Sequence, residues 1–305
     1  MIAIVLAALL WGTTGTVASS LPGDVGPLAT GAATMCVGGL LLALTAPRAT
    51  RAALRGGPAA WRWLVPGALG VVVYPLAFYS SMSLAGVAVG NVVSLGTAPV
   101  FAALLERLLD PPGRRRPLEP RWVASAAMAV VGVGVLAATG QHGQAGTAAS
   151  PGSAPLGIAL GVLAGLAYAT YTYTAARLMA EGHPSRGAVS AQFGLGAVLL
   201  LPVLLATGAP LLQSGASVGA TAYLAIGPMF VAYLLFGHGL RTVSSSRATT
   251  VTLLEPFVAT LLAVLVVGER LEPPGWIGLA LVLAGVVSIV LTRPVRPSRP
   301  EALAT

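Results

Sequence analysis

Residues 248–267 read ATTVTLLEPFVATLLAVLVV, an apolar run of twenty holding one acid, Glu255, with Pro256 directly after it. Residues 91–110, 157 positions earlier, read NVVSLGTAPVFAALLERLLD and bring Pro99 to the place of Pro256. The same offset carries Trp11-Gly12 onto Tyr168-Ala169, Pro27 onto Pro184 and Tyr79 onto Phe236, with no gap between them. Chance likeness of two apolar stretches does not explain prolines matched at a constant offset. The chain therefore contains one unit twice. Each copy holds five apolar segments, and an odd number of crossings returns the chain to the opposite face, so the second copy is expected to insert upside down. Two repeats of inverted topology are the architecture of secondary transporters, whose substrate site lies where the repeats meet.

Composition sets the medium. Hydrophobic residues make up 56% of the 305 and charged residues only 9%, against about 25% charged in a soluble globular domain. Ten runs are long enough for the roughly 20 residues that cross a bilayer: Ile2–Ser20, Pro27–Ala46, Leu64–Leu84, Val87–Leu105, Trp122–Ala138, Leu156–Met179, Ala188–Thr207, Val218–Leu240, Ala248–Val267 and Gly275–Leu291. The expected fold is thus all-α: ten transmembrane helices as two inverted five-helix repeats, residues 1–140 and 156–292. A Gly/Ala/Ser-rich outer linker (141–155) joins them, and a Pro/Arg-rich disordered tail (293–305) follows. The first run lacks the basic flank of a secretory leader and matches a plain spanning segment in the second copy, so it is expected to be a helix.

The formal net charge of +8 invites a nucleic-acid reading, which fails once the charges are placed. All seventeen basic residues are Arg. Sixteen fall in loops of one parity, from Arg48 and Arg51 to Arg296 and Arg299, and only Arg270 in a loop of the other. That bias predicts a multi-pass protein of the plasma membrane with both termini cytoplasmic, its arginines near anionic lipid heads. Trp61, Trp63, Trp122 and Trp276 are expected to anchor at the interfaces. Cys36 is the only cysteine, so no intrachain disulfide forms. No metal-ligand spacing, Ser/His/Asp set or phosphate loop occurs, so no metal, cofactor or catalytic residue is expected.

Glu255 is the only acid deep in an apolar run. A carboxylate at that depth has to face the protein interior or a water-filled path. Two readings are open: an anchor or proton site for a solute, or a protonated side chain hydrogen-bonded to a neighbouring helix. Pro99 and Pro256 each deprive an earlier carbonyl of its donor and predict kinks in helices 4 and 9; Pro75 and Pro228 tell a similar story in helices 3 and 8. Aromatic and hydroxyl residues gather at the same depth: Trp11, Thr14, Tyr74, Tyr79, Tyr168, Tyr171, Thr172 and Tyr233. Tyr168 and Thr172 are expected on one helix face. Asn91, Ser94 and Thr97 in helix 4 and Gln192 in helix 7 could add polar contacts. Such a wall suits a small organic molecule better than a bare ion. Gly157, Gly161 and Gly165 make a small-residue stripe that serves either packing within the chain or a homodimer. His238 could relay protons or simply be solvated.

These residues resemble a known group. Leu10-Trp11-Gly12 in helix 1, the proline opening helix 2, Pro99 in helix 4, Leu254-Glu255-Pro256 in helix 9 and Gly268-Glu269 closing it look like the EamA family of the drug/metabolite transporter superfamily. The resemblance covers the chain as two tandem units. It implies a ten-helix carrier whose cavity is lined mainly by helices 1, 3, 4, 6, 8 and 9, exporting amino acids, other metabolites or small drugs. Two departures stand out. Thr34-Met35 occupies the place where many members carry an Arg, and Leu109-Asp110-Pro111-Pro112 replaces a Gly-Glu at the end of helix 4. The expectation is a carrier of a small organic solute, more an exporter than an importer. A polytopic enzyme or lipid-handling protein is the competing class, and the loops offer it only scattered Arg, Asp and Glu.

Overall fold

The computed structural model of the chain describes residues 1–18, 20–85, 87–111, 119–139, 154–262, 264–265 and 272–291. Almost all of the expected linker, the whole tail, Gly268-Glu269 and Arg270 lie outside the described residues. Those described are helical with no strand among them. The helices are α1 (Ile2–Gly12), α2 (Thr14–Ala18), α3 (Pro27–Thr45), α4 (Pro47–Leu54), α5 (Gly57–Ala85), α6 (Val87–Leu109), α7 (Pro120–Thr139), α8 (Ala154–Ala180), α9 (Ser185–Thr207), α10 (Gly215–Leu224), α11 (Ala232–Gly239), α12 (Ser245–Val251), α13 (Leu254–Leu262) and α14 (Pro273–Leu291). Seven helical stretches are long and apolar enough to cross a membrane, and Ile2–Ala18 and Pro120–Val135 are shorter apolar ones. The chain is a multi-pass membrane protein.

Three segments depart from the sequence reading. Ala248–Val267 is not one helix: α12 stops at Val251 and α13 starts at Leu254. Val218–Leu240 is a single path, but a π-helical stretch, Ala225–Val231, joins α10 to α11. The expected loop after α3 is the short helix α4, which buries Thr50 and Ala53 and leaves Arg48 and Arg51 exposed.

Prolines start and glycines end helices where backbone chemistry favours it. Pro27, Pro47 and Pro273 open α3, α4 and α14. Gly182, at φ 97°, turns the chain out of α8, with the His183 amide returning to the Leu178 carbonyl at 3.1 Å. This is the 6→1 bond of a glycine C-cap. Large apolar side chains such as Leu44, Val100, Leu205 and Leu291 point outward, as on helices apolar all round.

Packing pairs the halves. α3 lies on α9, α7 on α14, α6 on α8 and α12, α5 on α8, and α1 on α11 and α13. Glycine makes the closest of these possible. A Cβ on Gly157 would stand 2.6 Å from the Ala85 amide, one on Gly161 2.8 Å from the Ser81 hydroxyl, and one on Gly165 2.8 Å from the Ser94 carbonyl. The stripe is used inside the chain, against α5 and α6, and is not a free face for a second copy.

Gly165→Ala should therefore overpack the α6–α8 contact at a cost of about 1–3 kcal/mol. Gly134, whose Cβ would meet nothing within 4 Å, provides the control. Thermal unfolding in detergent is expected to show a lower midpoint for G165A and an unchanged or higher one for G134A.

Candidate functional site

At mid-bundle two helices lose their regular hydrogen bonding, and side chains from facing helices bond to them there. Pro256 has no N–H, so the Thr252 carbonyl accepts instead from the Glu255 amide, at 2.9 Å, while the Leu253 amide reaches Thr250 at 3.2 Å. These tight turns separate α12 from α13. The Tyr168 hydroxyl on α8 braces the break, donating to Thr252 Oγ1 at 2.9 Å. In the π-helical stretch the Ala232 amide bonds the Gly227 carbonyl. The neighbouring Pro228 carbonyl accepts from the Trp11 indole N–H at 2.7 Å, in a buried contact. A π-bulge inside a helix often marks a functional site.

Between these irregular points lies a cavity. It is lined by Trp11, Thr14, Gly31, Thr34, Met35, Tyr74, Pro75, Phe78, Tyr79, Tyr168, Tyr171, Leu224, Pro228, Met229, Tyr233 and Glu255. The volume open to the centre of a water molecule is about 90 Å³. At roughly 10–15 Å³ for each water, that is room for a small solute. Seven rings form one unbroken arc, with centroids 5.0 Å apart for Trp11–Tyr233, 6.2 Å for Tyr233–Tyr171 and 5.2 Å for Tyr171–Tyr168. It continues at 5.4 Å each through Tyr168–Tyr74, Tyr74–Phe78 and Phe78–Tyr79. The Tyr171 and Tyr233 hydroxyls bond each other at 2.9 Å. Tyr79 lies over Gly31, where a Cβ would meet its ring at 2.8 Å.

Glu255 sits in the first turn of α13, half-buried in the cavity wall, and its carboxylate accepts no hydrogen bond from any described residue. It faces the positive end of the α13 dipole, a favourable place for a negative charge. No arginine or histidine is among the described lining residues.

Of the ten residues singled out in the sequence, Trp11, Thr14, Tyr74, Tyr79, Tyr168, Tyr171, Tyr233 and Glu255 meet in this cavity. Thr172 and Asn91 do not. Thr172 is fully buried outside the lining, its hydroxyl without a partner. Four residues along a helix turn it about 40° from Tyr168, and α8 is flanked by α5, α6 and α12. Asn91 is half-buried on α6, and none of the described α6 residues lines the cavity. Helix 4 is thus absent from a lining to which α3 contributes Gly31, Thr34 and Met35. Pro99 lies inside an uninterrupted α6, whereas the helix of Pro256 is broken three residues before it. Gln192 is fully buried away from the cavity and bonded to Thr174 at 2.7 Å. His238 is exposed. The sequence reading missed Phe78, Met35, Met229 and Leu224; Phe78 could have been found, four positions after Tyr74 on the same helix face.

One end of the bundle carries a polar network. Arg62 pairs with Glu181 at 2.6 Å, and the Trp63 indole donates to the same oxygen at 2.8 Å. Trp63, expected only as an interfacial anchor, also lies under the Arg62 and Arg177 guanidiniums. Asp110 accepts from Tyr173 at 2.8 Å and pairs with Arg177 at 3.4 Å. Glu106 accepts from the Ser246 amide and hydroxyl at 3.0 and 2.8 Å, and Arg247 pairs with Glu119 at 2.9 Å. Burial pushes the Glu181 carboxyl up, but the Trp63 and Arg62 bonds and the two arginine charges outweigh it and hold it below the usual range. α5 and α12 begin here and α6 and α8 end here. Thr14, Gly31 and Tyr79 place the cavity toward the opposite end.

Comparison with known proteins agrees with this architecture. The model of the EamA-like transporter family matches residues 1–138 and 155–291. YwfM, an uncharacterised transporter of Bacillus subtilis, is 31% identical over 301 residues, covering 98% of this chain and 96% of its own. A probable terminal-alkyne amino-acid exporter of Streptantibioticus cattleyicolor is 30% identical over 202 residues, covering 64% of this chain and 61% of its own. A solved crystal structure at 24% identity superimposes with a TM-score of 0.77, over 95% of this chain and 96% of its own, a likeness of fold.

Trp11→Phe keeps a ring in the arc but leaves the Pro228 carbonyl without its donor. It should cost about 1–3 kcal/mol and lower the thermal midpoint in detergent. Trp276→Phe, at a side chain 51% exposed, should leave the midpoint unchanged.

Proposed function

The chain belongs to the EamA-like transporter family, and on that premise we propose that it is a secondary carrier. It moves a small organic metabolite (an amino acid, a drug or a related solute) across the plasma membrane by alternating access. The observation that carries this reading is Glu255: a half-buried carboxyl without a hydrogen-bond partner among the described residues, in an aromatic cavity between the two halves. Such a group anchors a solute or takes up a proton as access alternates.

The inverted-repeat arrangement, with units 1–140 and 156–292, is supported by the packing. Helices that correspond at the 157-residue offset lie against each other: α3 on α9, α7 on α14, and α6 on α12. The contact of α5 with α8 has its counterpart in that of α11 with α1. A pseudo-two-fold axis between the halves requires both patterns. With the arginine-rich loops and both termini cytoplasmic, the polar network is the closed inner gate, and the cavity communicates with the outer side. Export is the direction favoured by the name of the Streptantibioticus relative.

Glu255→Gln should reduce solute flux in proteoliposomes about ten- to hundredfold, the worth of one charge-assisted hydrogen bond, in a protein that still purifies folded. Unchanged flux would remove Glu255 from the mechanism. Asp110→Asn should weaken the inner gate. In a Cys36→Ser, Thr14→Cys background, it is expected to slow labelling by a membrane-impermeant thiol reagent added from outside; an unaltered rate would sink the gate assignment.

A further inference from the structure

We propose that the cavity selects organic monocations: amines with an aromatic or apolar body and no carboxylate. This rests on the carrier reading of the same cavity and goes further, to the charge and shape of what fits.

Three features of the wall combine. Its polarity is one-sided, because Glu255 is the only acid among the described lining residues and no arginine or histidine lines the cavity opposite it. A positive solute supplies the counter-charge that the protein withholds. A carboxylate would instead bring a second negative charge beside the first, in a site where like charges repel.

The rings run as one continuous arc beside that acid, from Trp11 through Tyr233 and Tyr168 to Tyr79. Their faces are electron-rich, and a cation held against them gains from every ring it meets. For an anion those faces are repulsive.

Finally, half of the side-chain donors in the lining that would serve a carboxylate are already committed, leaving Thr14, Tyr74, Tyr79 and one hydroxyl of the Tyr171–Tyr233 pair. The Trp11 indole donates to Pro228, Tyr168 donates to Thr252, and one of the Tyr171–Tyr233 pair donates to the other. Thr34 is turned back on its own helix, donating to the Thr30 carbonyl at 2.9 Å. Redirecting Trp11 or Tyr168 would remove the partner that steadies the π-helical stretch or the α12–α13 break. The α13 N-terminus is likewise already faced by Glu255.

The test uses four probes that share one phenylethyl body and differ in the polar groups it carries: phenethylamine, phenylalanine, 3-phenylpropionate and phenethyl alcohol. Binding to the purified full chain is followed by calorimetry. Phenethylamine is expected to bind about tenfold or more tighter than phenylalanine, with 3-phenylpropionate weakest. Glu255→Gln should lower phenethylamine affinity to that of phenethyl alcohol and leave the alcohol unchanged, and Glu255→Asp should recover part of the loss. If E255Q does not fold, E255D and the wild-type probe series decide the matter. Phenylalanine or 3-phenylpropionate binding as tightly as phenethylamine would overturn the proposal, as would the absence of phenethylamine binding. Flux separates the two readings. Phenylalanine carried while phenethylamine is not would sink the substrate class and spare the carrier; phenethylamine bound while no probe crosses would do the reverse.

Discussion

In hydrocarbon every backbone N–H and C=O must find its partner inside the protein, because no water is there to supply one. That requirement governs where this bundle can depart from regular helix. Among the described residues it does so twice at its centre, and an aromatic side chain of the cavity wall hydrogen-bonds to each departure. Trp11 on α1 satisfies the carbonyl of Pro228. Tyr168 on α8 holds Thr252 at the break before Pro256. The wall and the helix geometry are therefore one construction. A residue that reads as a binding contact also determines how α11 and α13 enter the cavity, and hence where Glu255 stands.

The two halves match in sequence more closely than in shape. Pro99 and Pro256 occupy equivalent places, yet α6 runs on through its proline while the other helix breaks. α6 turns its polar end to the network instead, through Glu106 and Asp110. The difference follows from what each helix packs on. α6 lies between α8 and α12, packed so closely on α8 that a Cβ at Gly165 would stand 2.8 Å from the Ser94 carbonyl. On the carrier reading, unlike shapes in like sequences are what one access state of an inverted repeat looks like. The conformation open on one side has to differ between the halves.

The apolar runs, the duplication and most of the cavity were legible in the sequence. Run length reports the bilayer, and a mid-span tyrosine or glutamate is so poorly suited to lipid that it has to point inward. What the sequence hid was rotation and local backbone. Thr172 and Tyr168 are four apart, near enough to read as one face, but the few tens of degrees between them separate a cavity from a helix contact. The break lies at Thr252-Leu253, before the proline that causes it, because the carbonyl that loses its donor is four residues upstream. The π-helical stretch carries no pattern of its own beyond Pro228. The partners of the arginines, such as Glu181 for Arg62, sit 67 to 128 residues away in the chain. Loop charge could report orientation without reporting a network.

Charge is distributed so that the ends and the centre of the bundle follow different rules. At the network end, acids and arginines neutralise one another, from the half-exposed Arg62–Glu181 pair to the nearly buried Arg247 beside Glu119. A half-exposed pair such as Arg62–Glu181 is worth little net free energy, because each partner regains hydration as it loses the contact. On the carrier reading, a closure that ends in such a pair can begin to open to water at a modest cost. An apolar plug would expose oily surface instead, and a dry ion pair would leave stranded charges. At the centre the opposite holds. No arginine or histidine is among the described residues that line the cavity with Glu255, so on the proposed reading its counter-charge arrives with the solute. On the carrier reading, a gate whose charges are mutually satisfied, next to a site whose acid is not, would give an incoming cation a larger effect on the cavity than on the closure. On the same reading α12 offers a route between the two, since it carries Ser246 and Arg247 at one end and meets the break before Glu255, where Tyr168 bonds Thr252, at the other.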